Sequence, residues 1–206
     1  GCGSGSEIRT DSRCDGHGLP VMVWLYGGAF QTGSTCEKEF NGEQLARQGV
    51  VVVSIAYRLN VFGFFAHAML EKEAVDGRPC ANFGFLDQRM GIQWVKDNIA
   101  LFGGDPANIT VFGQSAGAAS ALAQSVSPMN DGLFQRVIMQ SGGGTGLFNR
   151  HLWSLEDAQR NGARFLKYLV VESIAEARSV PATDLLEAAV TFPACDWSGQ
   201  GDDVVW

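Results

Sequence analysis

The chain is poor in histidine, in basic clusters and in long apolar runs, and each scarcity narrows what it can be. Three histidines, His17, His67 and His151, stand among 206 residues, with no C-x-x-C pair and no Cys/His grouping, so no metal site is expected. The five cysteines, Cys2, Cys14, Cys36, Cys80 and Cys195, are odd in number and widely spaced, which leaves both a disulfide among them and free thiols open. Lys and Arg total 15 against 22 Asp and Glu, a net charge of −7. An acidic chain of this kind argues against a nucleic-acid or anionic-membrane partner. No apolar run approaches the roughly 18 residues that a membrane helix needs; the longest, Val50 to Ala56, is strand-sized and broken by Ser54. Gly1 to Gly5 offers neither a charged n-region nor an apolar h-region, so no signal peptide is read in this chain. Cytoplasmic and secreted locations both stay open, as does the oligomeric state.

What the chain has in quantity is glycine, 26 residues, within a globular composition of 46% hydrophobic and 18% charged residues. The glycines cluster where apolar runs end, at Gly27-Gly28, Gly103-Gly104, Gly113/Gly117 and Gly142-Gly144. Residues 1–18, small and polar, read as a flexible leader, and residues 19–206 as one domain or part of one. Continuous apolar runs predict buried strands over Val21–Tyr26, Val50–Tyr57, Ile109–Phe112 and Phe134–Gln140. Helical spacing predicts helices over Glu43–Gln48, Phe83–Phe102 and Ala116–Val126, with surface helices over Leu155–Val170 and Ala182–Val190. Strands alternating with helices imply right-handed crossovers and a parallel sheet. Ligands of such sheets bind at the C-terminal ends of the strands, which is where the glycine clusters after Tyr26, Phe112 and Gln140 fall.

Two of those clusters carry chemistry. Gly113-Gln114-Ser115-Ala116-Gly117 reads G-x-S-x-G, with a predicted strand entering and a predicted helix leaving. That context is what a nucleophile elbow needs: a turn so tight that the flanking glycines admit no Cβ, lifting the serine Oγ clear of the sheet. The helix N-terminus behind it places positive dipole near a developing oxyanion. Tyr26-Gly27-Gly28-Ala29-Phe30 follows the first buried strand. A small-residue loop there can aim backbone N–H donors at a carbonyl oxygen that becomes negative. No dinucleotide fingerprint and no P-loop is present. The Asn108-Ile109-Thr110 sequon opens a predicted buried strand and is discounted as a glycosylation site.

With these residues in view, the chain resembles the type-B carboxylesterase family, the cholinesterase-like branch of the α/β-hydrolases. Pro20 to Phe30 is similar to the family's oxyanion-loop strand. Asn82-Phe83-Gly84-Phe85-Leu86-Asp87-Gln88-Arg89 through Gly103-Gly104-Asp105-Pro106 is similar to its signature helix, and Ile109 to Gly117 to its elbow; Gln140-Ser141-Gly142 also fits. The resemblance runs from about Leu19 to about Ala189. It implies an α/β-hydrolase fold, a mostly parallel sheet with helices on both faces and the C-terminal part of the fold missing. It implies Ser115 as nucleophile, with the N–H groups of Gly28, Ala29 and Ala116 as oxyanion hole. Gly113, Gln114 and Gly117 would shape the elbow, and Arg58 with Asp87 would form a structural ion pair. Ser141 would lie beside the catalytic acid, an ordinary turn or cap serine being the alternative.

The reaction so implied is hydrolysis of a small-molecule carboxylic ester through an acyl-enzyme, with no metal or cofactor. Ala29 stands where the family usually has a third glycine, and Gln114 where it usually has Glu; neither change removes a catalytic atom. Gly-Gly-Gly and Gly-Gly-Ala loops in the family go with acceptance of bulky, even tertiary, alcohol esters. The family's acid and histidine follow the elbow in chain order, beyond Trp206, and none of His17, His67 or His151 matches a base motif. The rival reading is a truncated or non-catalytic member of the same fold serving as a binding module. Retention of Ser115 between its two glycines speaks against the non-catalytic member and leaves the truncated chain open.

Overall fold

The computed structural model describes residues 18–74, 80–142 and 153–193. Residues 1–17 of the leader expected over 1–18, with His17, and also His151 and the Gly143-Gly144 pair lie outside the described residues. Four strands, β1 (Leu19–Leu25), β2 (Val51–Ser54), β3 (Gly104–Gln114) and β4 (Arg136–Gln140), form one sheet in the order β2-β1-β3-β4. Every pairing is parallel, as the alternation of strands and helices requires. In order along the chain come the helices α1 (Glu43–Ala46), α2 (Asn60–Phe64), α3 (Ala68–Glu73), α4 (Phe83–Asn98), α5 (Ala116–Val126), α6 (Leu155–Tyr168), α7 (Ile174–Ser179) and α8 (Ala182–Thr191).

One face of β1 points Val21, Val23 and Leu25 at Ile92 and Val95 of α4 and Ala121 of α5, with Ile109 and Val111 of β3 beside them. This is the main core, and β1 is central to it: all three of its residues are fully buried. Met22, Trp24 and Phe112 belong to a second, aromatic cluster. There the Trp24 ring lies 4.8 Å from Phe112 and 5.0 Å from Phe40, and Phe30 meets Phe64 of α2 at 5.0 Å. A third cluster joins Val61 of α2 to Phe165 of α6, Ala189 of α8 and Phe192. The helices predicted as surface elements are therefore exposed on one side only and dock through the other.

The structure departs from the sequence expectations where neighbours decide the outcome. The expected helix over Phe83–Phe102 is α-helical only to Asn98. Ile99–Phe102 tightens into a 3₁₀ turn that Gly103 closes at φ 79°. The strand expected from Ile109 begins at Gly104, pairing with Leu19 across an irregularity that absorbs the residues around Pro106, which has no N–H for the ladder. The apolar runs 50–57 and 134–140 predict buried strands. β2 is only half-buried and β4 largely exposed, because they are the outer strands of the described sheet.

Candidate functional site

The C-terminal ends of β1 and β3 lie side by side, Leu25 opposite Gly113, so the loops that leave them start as neighbours. Beyond β3 the chain turns through Ser115, at φ 55° and ψ −121°, directly into α5. Non-glycine residues hold such a conformation only when their surroundings enforce it, at a cost of about 1–3 kcal/mol. The enforcement is steric. A Cβ on Gly113 would fall 2.3 Å from the Gly117 carbonyl oxygen, and one on Gly117 would fall 2.0 Å from that of Leu25. Strand and helix cross too closely for any side chain at either position.

Two hydrogen bonds complete the turn. Ser115 donates its N–H to the Gln140 carbonyl at 2.9 Å, and its own carbonyl accepts from Ala119 at 3.0 Å. The serine N–H is thus engaged by the end of β4. Ala116, the first residue of α5, carries an N–H of the first helical turn, which has no intrahelical acceptor. The positive end of the helix dipole lies at this same end of α5.

Beyond β1, the loop bends back at Gly28, whose carbonyl accepts from Gln31 at 2.9 Å and Thr32 at 3.0 Å. Gly28 has φ 106°, Ala29 φ 57° and Phe30 φ 62°. Three successive positive φ values curl the backbone so that the carbonyl of Gly28 is tied inward to its own turn. Gly27 brings the loop against the elbow: a Cβ there would lie 2.7 Å from the Gln114 carbonyl oxygen and 3.3 Å from the Ser115 Cβ. Ser115, Ala116 and the loop from Gly27 to Ala29 therefore share one small region. Gly142 reaches the same turn, its Cβ position 2.5 Å from the Ser115 carbonyl oxygen. Ser141 beside it is exposed at φ 53°.

Other singled-out residues sit around this region. Arg58 grips Asp87 with both prongs of its guanidinium, Nε and Nη2 each at 2.7 Å, and also donates its backbone N–H at 3.0 Å. Burial alone would push the Asp87 carboxyl up; the side-chain and backbone hydrogen bonds from Arg58, with its charge, prevail and hold it below the usual carboxylate range. The pair ties the chain after β2 to the first turns of α4. His67 caps α3, its Nδ1 accepting from the Met69 N–H at 3.1 Å, and burial lowers its pKa. It is the one histidine among the described residues, and its Nδ1 is occupied as a cap.

Sequence reasoning missed a buried polar chain behind the elbow. Gln88 of α4 donates to Ser120 of α5 at 2.9 Å, Gln124 donates to Gln88 at 3.1 Å, and Asn130 donates to Gln124 at 2.7 Å. Gln88 and Ser120 are fully buried. A glutamine at an inward position of α4 was its only signal. Among the described residues no cluster of His, Cys, Asp or Glu could hold a metal ion, and no helix is long and apolar enough to cross a membrane.

A parallel sheet with a serine on a strained strand-to-helix turn places the chain among the α/β-hydrolases. A carboxylesterase of Geobacillus stearothermophilus superposes with a TM-score of 0.76 at 42% identity, over 87% of this chain and 38% of that one. The carboxylesterase family model matches residues 10–198, and the chain belongs to that family. It is 43% identical to para-nitrobenzyl esterase of Bacillus subtilis over 83% of its own length, and 50% identical to mouse bile salt-activated lipase over 61%. The chain spans only 33% and 21% of those two relatives.

Proposed function

We propose that the protein carrying this chain is a serine carboxylesterase and that Ser115 is its nucleophile. The observation that carries the proposal is the conformation of Ser115, φ 55° and ψ −121°, held between Gly113 and Gly117 at the head of α5. A backbone so strained persists only where its surroundings over-determine it, and such strain clusters at active sites. Ser115 Oγ attacks the ester carbonyl and passes its proton to a histidine. In the family pattern that histidine and its carboxylate partner follow the elbow; the described residues contain neither. The N–H groups of Gly28, Ala29 and Ala116 receive the developing oxyanion, the alcohol leaves, and water releases the acid from the acyl-serine.

Relatives named a para-nitrobenzyl esterase and a bile salt-activated lipase, with the small Gly27-Gly28-Ala29 loop, support a small-molecule ester substrate with room for a bulky alcohol. The test uses the complete protein. Ser115→Ala is expected to abolish turnover of a short-chain nitrophenyl ester and labelling by a fluorophosphonate, and the parent to show measurable hydrolysis of a tert-butyl ester. Labelling that survives Ser115→Ala removes the serine from the mechanism. A parent that turns over the nitrophenyl ester but leaves the tert-butyl ester untouched removes only the bulky-alcohol reading.

A further inference from the structure

The parallel ladder between β1 and β2 ends with the Ile55 N–H on the Trp24 carbonyl, at 3.1 Å. Beyond it β2 leaves the sheet, β1 stays paired with β3 only as far as Leu25 opposite Gly113, and strand pairing then ends at the segment that becomes the Gly27–Ala29 loop. Two tyrosines take over there. Tyr57 donates its hydroxyl to the Tyr26 carbonyl at 2.7 Å. Tyr26 donates its hydroxyl to the Tyr57 carbonyl at 3.0 Å and accepts the Tyr57 N–H at 3.2 Å. The rings stack at 4.4 Å and 15°, and both residues are buried.

The two hydroxyls do different things. Tyr26 secures the backbone of the β2 exit, while Tyr57 secures the carbonyl of the peptide that enters the loop. That peptide is confined on its other side by the elbow: the Tyr26 oxygen lies 2.9 Å from where a Gly117 Cβ would be, and Gly27 faces Gln114 and Ser115. Rotation of the Tyr26–Gly27 peptide would swing the next amide, that of Gly28, relative to Ser115. With the elbow closing one side and the Tyr57 hydroxyl the other, the rotation is blocked.

Resting on the reading of Ser115 as nucleophile, we propose that Tyr57 is a positioning residue: its hydroxyl, bonded to the Tyr26 carbonyl, holds the Gly28 and Ala29 N–H donors in register with the serine. Burial, with the neighbouring Tyr26, pushes the Tyr57 hydroxyl far above its ordinary pKa, against a weaker pull from Ser120, so it remains a donor at any working pH. A donor set misplaced by a fraction of an ångström keeps substrate binding but loses transition-state contact, so the effect belongs in kcat rather than KM.

The experiment compares Tyr57→Phe with Tyr26→Phe in the complete enzyme, with kcat expressed per fluorophosphonate-titrated site so that only folded sites count. Both variants lose buried hydrogen bonds, and both are expected to melt earlier. Only Tyr57→Phe is expected to lower kcat for a nitrophenyl ester, by about tenfold or more with KM little changed. Tyr26→Phe leaves the bond to the Tyr26 carbonyl in place and is expected to stay within about twofold of the parent. Tyr57→p-aminophenylalanine, which restores a donor at the same point, is expected to recover kcat. Unchanged kcat in Tyr57→Phe, an equal loss in Tyr26→Phe, or no recovery with the amino variant each overturns the proposal. If Tyr57→Phe yields no titratable sites, the amino variant decides alone: parental kcat supports the assignment and a tenfold loss overturns it. A parent that the fluorophosphonate does not label at Ser115 instead refutes the underlying assignment of the nucleophile.

Discussion

Ala29 occupies a left-handed conformation, φ 57°, that a Cβ makes costly by roughly 1 kcal/mol and that glycine tolerates freely. The family's usual glycine there is thus matched to the backbone, and this chain carries the strain instead. Ala29→Gly is expected to raise the thermal midpoint by the equivalent of up to about 1 kcal/mol and to change kcat less than about threefold; both are read on the complete enzyme. A large gain in kcat would instead mean that the alanine distorts the loop. Proline at this position is not a clean probe of the N–H, since its ring fixes φ near −65°. Replacing the Gly28–Ala29 amide by an ester removes the N–H alone. If Ala29 is an oxyanion donor, that replacement is expected to lower kcat by roughly 10²–10³. Full activity in the ester-containing enzyme would take Ala29 out of the hole.

At the scale of elements, the chain leaving β2 is joined to α4 by Arg58 and Asp87. Half of the Arg58 side chain is exposed, 52%, so solvent screens the pair and its worth is set at about 1 kcal/mol despite the two-pronged geometry. The Asp87 pKa is depressed in the folded state. Its contribution is therefore present above the unfolded value of about 3.9 and is lost as pH falls through the folded one. Asp87→Asn is expected to lower stability at pH 7, with the gap between parent and variant closing in urea melts below about pH 4. A gap that persists unchanged in acid would mean that the charge is not what stabilises this junction. The elements that were legible in sequence are those whose own residues determine them. β1 reads as buried because Val21, Val23 and Leu25 are, and the elbow reads from glycines that no other residue can replace. Less legible were features fixed by remote partners. The true start of β3 depends on Leu19 finding Gly104. The short α2 has a buried Val61 because α6 and α8 lie over it, and the Tyr26–Tyr57 exchange joins residues 31 positions apart.

Taken whole, the described sheet is well packed at its centre and open at its margins. Ile138 and Met139 of β4 are 43% and 45% exposed, and the outer edge of that strand has no neighbour among the described residues. Leu101, Phe102 and Trp94 expose more apolar surface where α4 ends. Long apolar edges of this kind template association with other chains. The relatives are three to five times longer than the part this chain matches, so in a longer protein more chain is available to cover β4. The opposite signs of one substitution test this. Expressed by itself, the 206-residue chain is expected to elute as associated species, and Ile138→Lys, a charge on the open strand, to shift it toward monomer. In the complete protein the same lysine would enter a covered face and is expected to lower the melting midpoint, at a cost of about 1–3 kcal/mol. A 206-residue chain that elutes as a monomer with a cooperative melt would show that β4 needs no cover, and a complete protein indifferent to Ile138→Lys would show that it receives none.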